Sequence, residues 1–344
     1  MTVYRIDPIS DPRWAQLLLE NPRASIFHTP GWLDAIRRTY GYEPFVFTTS
    51  RPGTCLDNGI AFCSIDSWAT GRRLVGLPFS DHCELLISNP ADVNELSTYL
   101  ERELTRSGWD YIEIRPLKCD WSGLGSFQQG QTFYVHQLDL TQSVESLWQS
   151  FAKDSVRRKI QRQKREGLRI EQGSSELLLD HFYRLFVRTR RRHRLPPPPR
   201  SWFSNLIGCL AGSMTIRVCY KADLPIASIV TLQYNDMLVY KYGCSDERFH
   251  SLGGMQALLW SAIQSGKAAG LHTFDLGRTD CENRGLVRFK NGWGATCSKL
   301  TYFVYPDKRL RRSYGVSTVA KRVLSWMPRR VLTAVGGVIY KHIG

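Results

Sequence analysis

No C-x-x-C pair occurs among the nine cysteines, which are scattered at positions 55, 63, 83, 119, 209, 219, 244, 281 and 297. That spacing indicates neither a zinc ribbon nor a thioredoxin-like redox motif. Reduced thiols, most of them small apolar filler, are the expectation, and no metal is expected. No run of about 18 apolar residues exists, so nothing reads as a bilayer-spanning helix. The opening Met1-Thr2-Val3-Tyr4-Arg5 has neither the basic start nor the apolar run of a signal peptide, and the expected location is cytoplasmic. No G-x-S-x-G and no evident Cys–His pairing is present, so nucleophilic catalysis is not the first choice. Acidic residues are scarce, with 31 Asp+Glu against 46 Lys+Arg and a net charge of +15. An excess of that size favours polyanionic partners: nucleic acid, anionic lipid or phosphate-bearing substrates.

What is present points to a folded α/β protein. At 344 residues the chain is long for one core, and 42% hydrophobic residues with ten tryptophans exclude global disorder. In the first half, Thr29 and Pro30 open a helix that Tyr40-Gly41 ends. Strands are expected at Phe45–Thr49, Ile60–Trp68, Arg72–Leu77 and Tyr111–Arg115, with a helix over about 91–107 between the last two. Phe133–Leu138 closes that half. The second half reads Val144–Phe151, a basic helix Lys153–Glu166 and a strand Leu168–Glu171. Helices Ser175–Arg192 and Trp202–Leu210 follow. Strands Met214–Lys221, Ile226–Tyr234 and Met237–Cys244 lead to a helix over 254–269 and strands Thr273–Leu276 and Lys299–Tyr305. Two copies of one mixed, mostly antiparallel α/β unit is the economical reading. The expected domains are 1–143 and 144–306, followed by a basic tail, 307–344. That tail holds nine Lys/Arg and one Asp. Its apolar residues fall at helical spacing in two segments around Pro328. It either packs on the domain or lies on anionic lipid at the inner membrane face.

The most informative stretch is 270–294. A short apolar strand ends in Asp275, a loop rich in Gly and charge follows, and Arg288-Phe289-Lys290 comes next. A lysine behind an aromatic near a strand end can meet a phosphate or a developing oxyanion, or it can be a surface lysine. Asp275 can orient an amine, or pair with Arg278, or cap backbone amides. Asp280 and Asn283 sit in the loop. Ser80-Asp81-His82 offers a second acid/base candidate, Asp81. In the basic helix, helical spacing puts Arg158, Arg162 and Arg165 on one face, a pattern suited to phosphate contact. Arg184, Arg188 and Arg190–Arg194 can extend it.

Several of these stretches resemble one family. They are Phe27-His28-Thr29-Pro30-Gly31-Trp32, Pro78-Phe79-Ser80-Asp81, Arg157-Arg158-Lys159-Ile160 with Arg165-Glu166-Gly167-Leu168, and Lys241-Tyr242-Gly243-Cys244-Ser245. Phe274-Asp275-Leu276-Gly277-Arg278 and Gly285-Leu286-Val287-Arg288-Phe289-Lys290 complete the set. In order and spacing the chain is similar, over about residues 20–306, to the FemAB-like branch of the GNAT acyltransferase superfamily. The resemblance implies two tandem GNAT-like domains and acyl or aminoacyl transfer from acyl-CoA or aminoacyl-tRNA, without a covalent enzyme intermediate. The acceptor is expected to be an amine or hydroxyl of a cell-envelope glycan, a nucleotide-sugar or a lipid-linked precursor. The aminoacyl-transferring Fem enzymes can carry a long coiled-coil arm, which residues 153–192 do not show. Relatives without the arm are similar to proteins of exopolysaccharide synthesis.

The resemblance also assigns residues. Lys290 becomes the electrostatic catalyst, worth about 3 kcal/mol by analogy with one oxyanion donor. Asp275 and Asp81 become acid/base candidates. Arg278, Asn283, Trp32, Tyr242 and Phe289 become substrate contacts. The Gly-rich GNAT donor turn, [QR]-x-x-G-x-[GA], corresponds to Arg248-Phe249-His250-Ser251-Leu252-Gly253-Gly254, with Arg248 and Gly253 fitting and Ser251 where glycine is expected. The competing expectation, from another class, is a non-catalytic RNA-binding protein using the same arginines. It lacks interleaved aromatics to stack bases.

Overall fold

The computed structural model describes residues 2–68, 71–118, 126–306 and 329–342. They form two compact units. Of the described residues, those up to 132, 300–306 and 338–342 belong to one, and 133–299 and 329–337 to the other. These divisions lie near the expected boundaries at 143/144 and 306/307 without coinciding with them. The strand over 128–139 contributes residues from 133 onward to the second unit, and the strand ending at Tyr305 returns to the first.

In the first unit, helix α1 (Pro12–Glu20) and helix α2 (Pro30–Tyr40) precede most of the sheet. Thr29 Oγ1 accepts the Trp32 amide at 3.3 Å, Pro30 fills the first turn, and Gly41 closes α2 at φ +73°. Strands β1 (Tyr4–Ile6), β2 (Glu43–Thr48), β3 (Ile60–Ser67) and β4 (Gly71–Val75) pair antiparallel in sequence order. Helix α3 (Pro90–Ser107) then crosses over to β5 (Tyr111–Ile114), which lies parallel to β4. Residues 303–305 of β12 (Thr296–Tyr305) pair antiparallel with β5. Phe45, Phe47, Phe62, Leu96, Leu100 and Ile112 form the core between sheet and helix.

The second unit repeats that plan. Strands β7 (Arg169–Gly173), β8 (Met214–Lys221), β9 (Leu224–Tyr234) and β10 (Met237–Ser245) are an antiparallel meander. Helix α8 (Gly254–Ala268) crosses to β11 (Thr273–Asp280), parallel to β10, and β6 (Gln128–Asp139) adds antiparallel on β11 through residues 133–139. Helices α4 (Val144–Ser150), α5 (Arg158–Arg165), α6 (Glu176–Arg192) and α7 (Arg200–Cys209) complete it. A π turn over Lys153–Arg157 leads into α5. The two copies are hard to align because each borrows its last strand from a remote stretch of chain.

The tail's second segment is a helix, Arg329–Tyr340, and it packs on protein. A Cβ on Gly336 would overlap the Pro197 carbonyl oxygen in the second unit. Further on, Tyr340 stacks on Phe79 at 6.0 Å and its carbonyl accepts the Tyr42 hydroxyl at 3.2 Å in the first. The segment with Val316, Val319, Ala320, Val323 and Leu324 lies outside the described residues. Among those described, no helix is long and apolar enough to cross a membrane.

A Cys–His contact that the sequence did not suggest is buried in the first unit. Cys83 Sγ lies 3.3 Å from His28 Nε2, which is also 2.9 Å from the Glu84 carbonyl, while His28 Nδ1 accepts the Ser25 amide at 3.0 Å. Burial pushes the thiol pKa up and pulls the imidazole down to about 4, so both stay neutral near pH 7 and the pair is no nucleophile. Because the native His28 pKa lies below its ordinary value of 6.5, the folded state binds fewer protons between those limits. Stability from this group is complete above pH 6.5 and falls as pH drops towards 4, by about 3 kcal/mol in all. Urea titrations at pH 7 and pH 4.5 check this: His28→Asn should lose less stability across that interval than wild type.

Candidate active site

Strands β10 and β11 run parallel but pair over only three residues, from Met237↔Thr273 to Val239↔Asp275. Beyond that point β10 stays with β9 and β11 with β6, so the two central strands part. Their facing backbone edges over 240–245 and 276–280 open a crevice at the carboxyl ends of parallel strands, where α/β sheets place ligands.

A bulge in β11 lies where the strands separate. The register with β6 shifts between Asp275↔Gln137 and Arg278↔Val135, and Gly277 takes φ +73°. Two buried charged groups hold it. Asp275, with no exposed surface, accepts the Gly277 amide at 2.6 Å. Lys290, 3% exposed, donates to the Gly277 carbonyl at 2.7 Å and to that of Arg278 at 3.1 Å. His136 of β6 stands opposite the bulge, and its Nε2 lies 2.9 Å from Asn291 Oδ1. That contact leaves Nδ1 as the lone-pair nitrogen, buried and without a hydrogen-bond partner. Burial first, then the Lys290 charge, hold this imidazole below its ordinary pKa, against the opposing pull of Asn291 and Asp275.

The stretch expected to be loop after β11 is largely helix. Helix α9 (Arg284–Asn291) starts at Asn283, whose Oδ1 accepts the Leu286 amide at 3.1 Å. Asn283 is thus the cap of this helix. The helix carries Lys290 in its last turn and aims it back at the strand it follows. Asp275 uses its carboxylate on a backbone amide, one of the alternatives open at the sequence level. The Arg278 guanidinium lies 4.4 Å from the Phe133 ring centre, and Phe289 packs on the core of the second unit.

The Gly-rich turn is built for packing. Gly253, at φ +83°, sits so close to α5 that a Cβ would overlap the Lys159 carbonyl oxygen. Lys159 Nζ straps the turn through the carbonyls of His250 (3.3 Å) and Ser251 (3.2 Å). Arg248 pairs with Asp246 at 2.7 Å, and Arg188 reaches the same carboxylate, so both guanidiniums have an acidic partner beside the turn. Those bonds, Arg248 first, hold Asp246 below the usual carboxylate range. A Cβ on Gly254 would lie 3.4 Å from Ala227, Cys219 and Ile226, and the glycine begins α8, whose first amides have no intrahelical acceptors.

The other assignments divide between the units. Trp32 has no exposed surface and meets Phe27 edge-on at 4.9 Å, which corrects it from substrate contact to core. Asp81 lies in the first unit, where its carbonyl accepts the Tyr302 hydroxyl at 2.6 Å. Its loop holds Leu77 and Phe79 at φ +55° and +63° and is pinned by Arg115 through the carbonyls of Leu77 and Ser80. Tyr242 accepts Trp202 Nε1 at 2.8 Å amid Phe186 and Phe203. On the basic helix, Arg158 pairs with Asp154 at 2.7 Å and Arg162 with Glu166 at 3.4 Å, while Arg165 is exposed. The second arginine cluster is largely wired inward: Arg192 meets Glu247 and the Ser245 carbonyl, and Arg190 meets the Pro196 carbonyl. Among the described residues, no cluster of three or more His, Cys, Asp or Glu could hold a metal. His136, Arg115 and Tyr302 carried no signal in the sequence, since isolated residues in apolar strands look like core.

Residues 150–291 match the acetyltransferase (GNAT) domain family. No curated protein sequence matches the chain. Among solved structures the fold is similar to FemX, at 15% identity and a TM-score of 0.70, covering 89% of this chain and 97% of that one. It is also similar to L-PGS from Bacillus licheniformis, at 15% identity and a TM-score of 0.57, covering 94% and 97%. A tandem GNAT protein from the clavulanic acid biosynthesis pathway follows at 8% identity and a TM-score of 0.52, covering 88% and 98%. The two-unit α/β architecture expected from the sequence is the one these structures share.

Proposed function

We infer that this chain, a GNAT acyltransferase of FemAB-like fold, moves an acyl or aminoacyl group onto an amine or hydroxyl of a cell-envelope glycan, nucleotide-sugar or lipid-linked precursor. The observation that carries the reading is the parting of β10 from β11 beside a bulge held by Asp275 and Lys290, inside the segment that matches the GNAT domain. Unpaired strand edges can hold an extended acyl-bearing chain by backbone hydrogen bonds. The donor is acyl-CoA or aminoacyl-tRNA. In the reaction, the acceptor's neutral amine or hydroxyl attacks the acyl carbonyl, its proton leaves, and the thiol of CoA or the tRNA hydroxyl departs. Lys290 acts as a positioning residue. Two of its hydrogen bonds fix the crevice wall, and its charge favours negative charge developing nearby.

The envelope acceptor is supported by the name of one structural neighbour, a putative lysylphosphatidylglycerol synthetase domain from Agrobacterium fabrum, at 14% identity and a TM-score of 0.56, covering 85% of this chain and 90% of that one. The exposed pairs of Arg158 and Arg162 are weak and can exchange their carboxylates for a phosphate-bearing acceptor, with Arg165 beside them. Peripheral contact with the inner membrane face belongs to the same reading. The test offers acyl-CoA and charged tRNA side by side with lipid-linked and nucleotide-sugar acceptors, and follows consumption by mass spectrometry. Acceptor-dependent loss of one donor is expected. No donor consumed, together with RNA binding that weakens with a log–log salt slope of about −0.7 to −0.9 per phosphate contact, would replace the reading with RNA binding.

A further inference from the structure

Arg217 of β8 is an arginine inside the second unit with no carboxylate among the described residues to neutralise it. It is 4% exposed. The guanidinium's only hydrogen bond among the described residues runs from Nη1 to Thr231 Oγ1, at 2.7 Å. Nε is buried without a partner, and no described carboxylate pairs with the guanidinium. Burial alone pulls its pKa down to about 10, so the group remains a cation at neutral pH. An unpaired buried charge costs several kcal/mol unless something compensates it.

The side chain lines a cavity of about 40 Å³, measured as the space open to the centre of a water molecule. By that measure one water needs roughly 10–15 Å³, so the space suits about three waters or one small oxyanion. Ser213, Thr215, Thr231, Gln233 and Ser265 supply polar groups around it, and four of the five are hydroxyls able to donate to an anion. The cavity touches β10 at Leu238, just before the strands part, but its polar lining comes from β8, β9, the Ser213 turn and α8 rather than from the edges over 240–245 and 276–280. Ser265 lies near the end of α8 remote from Gly254, a rise of about 16 Å along the helix. The residues and their surroundings owe nothing to the acyl-transfer reading.

We propose that Arg217 and the hydroxyls around it form a binding site for a small oxyanion, a phosphate or a carboxylate, within the second unit and separate from the strand edges of the crevice. A guanidinium with Nε unsatisfied and one amino group already anchored by Thr231 offers a fork for two parallel hydrogen bonds to such a group. The rival account is that the carbonyls ending α8 balance the charge. An anion would then meet repulsion from that helix end and would not bind.

The test is thermal melting and calorimetric titration of the full chain with phosphate, acetate or chloride at fixed ionic strength. A saturable rise in Tm of about 2–4 °C or more is expected once phosphate or acetate exceeds its Kd tenfold, with little from chloride. Whichever of the two acts identifies the oxyanion. Arg217→Gln should abolish the rise. Thr231→Val, which keeps the charge and frees Nη1, should weaken binding several-fold and keeps the test open if the first variant does not fold. No anion-specific shift in wild type, or an equal shift in Arg217→Gln, overturns the proposal.

Discussion

Lys290→Met should lower turnover by about 100-fold or more while the chain stays folded. Methionine fills similar space but withdraws an ammionium that donates to the carbonyls of Gly277 and Arg278. Each buried carbonyl left unsatisfied costs about 1–3 kcal/mol, so the second unit should also melt earlier. The Asp275–Gly277 bond and the flanking pairs with β6 remain, but the lysine's share in fixing the bulge where β10 and β11 part is gone. A wall displaced by 1 Å is enough for a 100-fold loss, because acyl transfer depends on alignment. Lys290→Arg separates geometry from charge. It keeps the cation but cannot set a compact ammonium between two adjacent carbonyls. If position matters, the arginine variant should be nearly as slow as the methionine one, with kcat affected far more than KM. Steady-state rates with whichever donor the consumption assay selects read this directly, and circular dichroism confirms folding. Wild-type turnover in Lys290→Met would remove the residue from the mechanism.

How far the sequence reveals this site differs from residue to residue. Local signals read well: Thr29-Pro30 capping and Gly41 closing α2 are written in adjacent residues, and so is the alternation that makes β8, β9 and β10. Lys290 and Asp275 stand out because charge close behind an apolar strand is conspicuous. Their partners do not, because both spend bonds on backbone atoms, which any sequence supplies. The helix Arg284–Asn291 hides behind a loop-like composition, and only Asn283 three residues before Leu286 marks its start. Arginines mislead in the opposite direction. Arg188, Arg192 and Arg248 look like a phosphate surface, yet Asp246 and Glu247 take them into ion pairs through folding contacts dozens of residues apart or through a tight turn. Trp32 reads as a motif residue and is core. Arg217 and His136 are silent for the same reason, since their meaning comes from what neighbouring strands place beside them.

Gly253→Val should destabilise the second unit by about 3 kcal/mol or more, among the largest single losses expected here. The backbone sits at φ +83°, where an L side chain costs about 1–2 kcal/mol and a β-branched one more. Space adds a second penalty. The new Cβ would overlap the Lys159 carbonyl oxygen, and the obstacle is the backbone of α5, which cannot swing aside as a side chain would. Relief requires α5 to move off the turn, which pulls Lys159 Nζ from the carbonyls of His250 and Ser251. It also shifts Ile160, which is buried in the same core as Leu258 and Ala262 of α8. Gly254→Ala is the control. Its Cβ would make only ordinary contacts at 3.4 Å with Ala227, Cys219 and Ile226, and Gly254 has no positive φ, so the cost should stay under about 1 kcal/mol. Urea unfolding of the two variants decides the matter. A Gly253→Val midpoint equal to that of Gly254→Ala would mean that α5 does not press on this turn. The glycine would then be free for the phosphate-binding role its sequence suggests.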